Sequence, residues 1–62
     1  MRWEYDGECY VLWSGLKVVG RVVQVEHDRW ESSVAGEPSL HFGSVTRALR
    51  HVEHALAREA RR

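Results

Sequence analysis

The chain has one cysteine, Cys9, and one proline, Pro38. A single thiol excludes an internal disulfide, although it can still link two subunits, and a lone cysteine suits a reducing compartment. There is no apolar run of about 18 residues, so the sequence offers no membrane-spanning helix. The leading residues Met1, Arg2, Trp3, Glu4, Tyr5 and Asp6 carry acids where a secretory signal is basic and then apolar. These features predict a cytoplasmic protein. Internal repeats and low-complexity tracts are also missing.

At 62 residues the chain makes one domain. A chain of this size buries only about 60% of its unfolded surface, so its own core is marginal. Disulfides, a metal or a second subunit usually compensate. Charge is balanced in total but not along the chain: residues 1–43 carry a net −3 and residues 44–62 a net +3. Such a dipole can orient a charged partner. It falls short of the broad basic excess of a typical nucleic-acid binder.

Strand signals fill the first two thirds. Asp6-Gly7 is a preferred hairpin dipeptide, and Tyr10, Val11, Leu12 and Trp13 after it are strand formers. The spacing predicts strands at about 8–13, 18–26 and 29–35, with Ser14-Gly15 and His27-Asp28 as turns. Whether Arg2–Tyr5 pairs as an extra N-terminal strand stays open. Gly36, Glu37, Pro38 and Ser39 read as a loop, and Leu40, His41 and Phe42 as a short extended arm. The period then changes from two to about 3.6. Val45, Ala48, Leu49, Val52, Ala55 and Leu56 recur at three and four residue spacing, which predicts an amphipathic helix over about 45–60 with Ser44 as its N-cap. The expected fold is α+β: a small three-stranded antiparallel β-meander with one C-terminal helix packed on one sheet face.

Alternation assigns Leu12, Val18, Val22, Trp30 and Val34 to the helix side, beside Gly20 and Ala48. Trp30 and Leu49 are the expected anchors between sheet and helix. Val11, Trp13, Val19, Val23 and Val25 then fall on the other side, which nothing later in the chain can cover. A patch of that kind marks a contact surface, for a second copy of the chain or for another protein.

The chemistry-bearing residues form no set. His51 and His54 are three apart on the helix and His41 precedes it, but they do not match the Cys/His sets of structural zinc. They read as solvent-facing side chains. Cys9 has no base beside it in the sequence, and the acids are scattered over turns and rims. No catalytic residue, metal or cofactor is therefore expected. Nucleic-acid binding is the rival class, through a basic helix face of Arg47, Arg50 and Arg58 extended by Arg61 and Arg62.

Trp30 in the third strand, then Phe42-Gly43-Ser44 opening the helix with Ala48 on its inner face, give an outline over residues 10 to 58. It resembles the three-stranded domains with a C-terminal helix at the front of phage-type integrases and in plant AP2-like DNA-binding domains. That resemblance implies DNA reading by basic residues on the sheet, whereas the sheet half here is acidic. In style the chain also looks like the small accessory proteins of phages and mobile elements, several of which regulate or inhibit a host protein. The expected function is a non-catalytic protein–protein interaction module of that kind. It is expected to be homodimeric, with a host protein as a further target and nucleic acid as the alternative.

Overall fold

A computed structural model describes residues 1–60. Five strands follow one another: β1 (Arg2–Tyr5), β2 (Cys9–Ser14), β3 (Lys17–Glu26), β4 (Arg29–Val34) and β5 (Leu40–Phe42). One helix, α1 (Val45–Ala60), follows them among the described residues. All neighbouring strands pair antiparallel, and their order in the sheet is their order in the chain. The α+β class, the meander and the terminal helix are as expected. The strand count is not. Arg2–Tyr5 is a full strand against β2, and the arm Leu40–Phe42 pairs with β4 as a fifth strand.

The turns explain the pairing. Between β1 and β2, Asp6 Oδ1 accepts hydrogen bonds from the amides of Glu8 and Cys9, each 2.9 Å away. Gly7 there has φ of 97°, a conformation that costs glycine little and other residues much. The local Asp–amide closure brings β1 onto β2, so even a four-residue strand is held. Ser44 caps α1 as its sequence position predicts: its Oγ accepts from the Arg47 amide at 3.2 Å.

The helix lies over β4, with β3 and β5 on either side. Leu12, Val22, Val34, Ala48, Val52 and Ala55 form the buried centre, with Trp3, Tyr10, Val19, Trp30, Phe42, Val45, Leu49 and Leu56 leaning on it half-buried. Trp30 and Leu49 are thus walls of the core rather than its middle. Gly20 is buried directly beneath Val52, where an added Cβ would overlap Val52 Cγ1. The absence of a side chain at Gly20 is what lets the helix sit this close to β3.

Two bulges correct the expected faces. Leu12 pairs with Gly20 but Trp13 pairs with Val18, so Val19 is an extra residue with no partner in β2. Residues directly opposite each other share a face, and an inserted residue reverses the alternation beyond it. Val18 therefore joins Trp13 on the face away from the helix, 37% exposed, instead of facing α1. Val19, assigned by alternation to the open face, packs against the core. The second bulge leaves Val25 unpaired between Gln24 and Glu26 and 45% exposed.

Candidate functional site

The uncovered face of the sheet gathers side chains from all five strands. Its register opposes Arg2 to Trp13 and Trp13 to Val18, Glu4 to Val11 and Val11 to Arg21, and Cys9 to Val23 and Val23 to Glu31. Of the five residues expected here, Val11, Trp13 and Val23 are present, all half-buried by their neighbours. Val18 takes the place that Val19 vacates. The face is not a sheet of valines, however. Charged residues stand between the apolar ones, with Arg2 3.5 Å from Glu4 and His41 Nε2 3.1 Å from Glu31. Arg21, exposed between Val11 and Ser33, forms no ion pair with another described residue. Beside this face Leu16, at the tip of the β2–β3 turn, is 99% exposed.

Cys9 lies at the edge of that face, against the β1–β2 turn. Its Sγ is 3.6 Å from Asp6 Oδ2. Partial burial, and then the Asp6 carboxylate, raise the thiol above its ordinary value. Asp6 shifts the other way, because the amides of Cys9 and Glu8 favour its charged form. A depressed carboxylate stabilises the fold above the ordinary aspartate value of 3.8, and that contribution is lost as the pH falls below it. The thiol consequence is directly measurable. Cys9 is expected to alkylate more slowly at pH 8 than an unstructured thiol, and Asp6→Asn is expected to speed it up. An unchanged rate in Asp6→Asn would mean that the carboxylate does not reach the sulfur. The raised thiol is the opposite of the thiolate that nucleophilic catalysis requires.

Under the helix lies one arrangement that the sequence pattern does not predict. Ser32 has no exposed surface, and its Oγ is 2.7 Å from His51 Nδ1. The His51 ring lies 5.4 Å from that of Phe42, centroid to centroid. His51 is therefore half-buried against the sheet and not solvent-facing as expected, whereas His54 is exposed. His41, paired with Glu31, belongs to the opposite side of the sheet from His51. Among the described residues no three His, Cys, Asp or Glu side chains converge on one point. The serine–histidine distance is that of a nucleophile and its base, but a serine with no exposed surface meets no substrate. What the pair does is satisfy a buried hydroxyl. A mid-strand serine at the period of the core residues was the only sequence sign of it.

That role predicts a specific coupling. His51→Leu leaves the Ser32 hydroxyl buried without a partner and is expected to cost about 1–3 kcal/mol in urea unfolding. Adding Ser32→Ala removes the orphaned group, so the double variant should be no less stable than His51→Leu alone. A double variant whose loss equals the sum of the two single losses would show the pair is not energetically linked.

The rival, basic surface is only partly assembled. Arg47 and Arg50 are exposed on the solvent side of α1 and form no ion pair with another described residue. Arg58 Nη2 is 3.4 Å from Glu37 Oε1, which offsets its charge. Arg61 and Arg62 lie outside the described residues. No described helix is long and apolar enough to cross a membrane.

The chain matches no protein-family model, no curated protein and no solved structure at a significant level.

Proposed function

We propose that this protein is a non-catalytic interaction module that acts by covering a protein surface, and that its working face is the side of the sheet away from α1. The observation carrying this reading is Trp13, which stands with Val11, Val18 and Val23 on a face that no other part of the described chain covers. Aromatic side chains amid apolar neighbours, rimmed by charge, are the usual centre of a binding surface. The first partner to test is a second copy of the chain, packed sheet to sheet. A host protein bound in the manner of the small regulators and inhibitors of phages and mobile elements is the wider reading, with action in the cytoplasm.

Sedimentation across the micromolar range tests the self-association. The wild type is expected to dimerise, and Val23→Lys to weaken the dimer at least tenfold by placing an ammonium in the contact. The helix side of the sheet is untouched, so the far-ultraviolet spectrum of the variant should not change. A wild type that stays monomeric throughout would remove the homodimer.

Arg47 and Arg50, exposed and free of ion pairs among the described residues, favour nucleic acid as the second reading. A mobility-shift series in rising salt separates the two. Phosphate contacts lose affinity steeply with salt, and charge reversal at Arg47 and Arg50 would abolish them. Tight, salt-sensitive binding lost in that variant would replace the protein-binding proposal.

A further inference from the structure

The helix side of the sheet is itself only partly covered. Leu12 of β2 is buried under this side, but because α1 lies over β3, β4 and β5, the same side of β1 and β2 toward their turn is left beside the helix as a ledge. Register places Trp3 opposite Leu12 and Tyr5 opposite Tyr10, all on this side. Tyr5 is 59% exposed, with its ring centroid 4.7 Å from that of Tyr10. The Tyr10 ring is 6.2 Å from that of Trp30. An aromatic row thus runs from the outer strand to the flank of the helix.

The strand end of the row is acidic, while on the helix Arg50 lies one turn before Glu53. No arginine or lysine occurs between Arg2 and Lys17, whereas Glu4, Asp6 and Glu8 do. Glu4 belongs to the opposite face with Arg2, and the Asp6 carboxylate lies toward that face beside Cys9 Sγ, which leaves Glu8, two residues before Tyr10, at the turn end of the ledge. On the helix flank Glu53 Oε2 accepts from Trp3 Nε1 at 3.4 Å. Aromatic faces and carboxylates together attract cations, and an ammonium or guanidinium near a tyrosine or tryptophan ring gains from the ring as well as from the acid. Beyond the ledge, β1 is the first strand in the sheet order, so its outer edge has no strand partner. An extended segment added along such an edge sets every second side chain on the same face.

We propose that the ledge of Trp3, Tyr5, Tyr10 and Trp30 docks an extended basic peptide segment, laid along β1 with its arginine or lysine side chains over the rings and toward Glu8 and Glu53. This surface is separate from the open face assigned above, so the two assignments stand or fall independently.

The test titrates the full chain with a short peptide alternating arginine and serine, followed by backbone amide shifts. The controls are the same peptide with glutamate for arginine and an oligothymidine. Shifts are expected at Trp3, Tyr5, Tyr10 and Glu53 with the basic peptide alone. Tyr5→Ala should weaken binding roughly 2–5-fold, as loss of one exposed cation–ring contact does, while Tyr5→Phe retains it. Glu8→Lys should weaken it further, and Val23→Lys should leave it unchanged. Absence of binding to the basic peptide, equal binding of the glutamate peptide, or preference for the oligothymidine would overturn the assignment. So would shifts confined to the Val11, Trp13 and Val23 face, or loss of binding in Val23→Lys.

Discussion

Gly20→Val is expected to prevent folding, and Gly20→Ala to cost about 1–3 kcal/mol, the range for overpacking a close-packed core. The reason is local. A Cβ at this position would overlap Val52 Cγ1, and Val52 is fully buried and β-branched, so it has no other rotamer to retreat to. The strand itself would favour alanine or valine over glycine, so strand propensity and packing oppose each other here, and packing is expected to win. The check is a pair. Val52→Ala alone leaves a cavity and should cost about 2–3 kcal/mol, but in the Gly20→Ala background the missing methyls make room for the new one. The double variant should be more stable than the sum of the single losses predicts, by an amount within the usual 0.5–3 kcal/mol coupling of touching residues, about 1 kcal/mol at least. Strict additivity in urea unfolding would place the helix farther from β3 than the structure does.

Leu12→Ala is expected to cost about 2–5 kcal/mol. Leu12 is only 2% exposed, in the centre formed with Val22, Val34 and Val52. A domain of this size has a total stability of roughly 3–9 kcal/mol, so the variant should be partly or wholly unfolded at room temperature. Leu16→Ala provides the internal comparison. The same substitution four positions along removes a side chain that is 99% exposed, and should leave the melting temperature unchanged. If Leu16→Ala instead weakens binding at the open face with no change in melting, the turn tip belongs to that contact surface.

Those two leucines show where local pattern stops. Leu12 falls in a run of four strand formers, and Leu16 follows a Ser-Gly turn, so their opposite fates are readable from their neighbours. The helix is equally legible: its apolar spacing and the Ser44 cap are properties of consecutive residues. So are the main strands, since valines and aromatics between turn dipeptides have few alternatives. The fifth strand is different. Leu40–Phe42 is three residues long, and only the presence of Trp30, Glu31 and Ser32 opposite makes it a strand. β1 likewise depends on the hydrogen bonds that Asp6 makes across the turn.

The candidate faces divide in the same way. Val11 and Trp13 fall on the open side by alternation alone because the inserted residue lies in β3 and not in their own strand, and Val23 because its pairing lies clear of both bulges. Val18 and Val19 exchange roles because the residue inserted at Val19 reverses the side chain on its far side, and nothing in a run of valines marks where the insertion falls. The helix position of His51 predicts polar surface, yet a buried serine on a strand nineteen residues earlier draws it to the sheet. The chain's own sequence determined the class of fold, the order of its elements and the regular half of the open face. The number of strands, the exact face of each valine, the Ser32–His51 bond and the uncovered aromatic ledge were decided by the tertiary structure. Each depends on which distant residues lie opposite one another, and local periodicity carries no record of that.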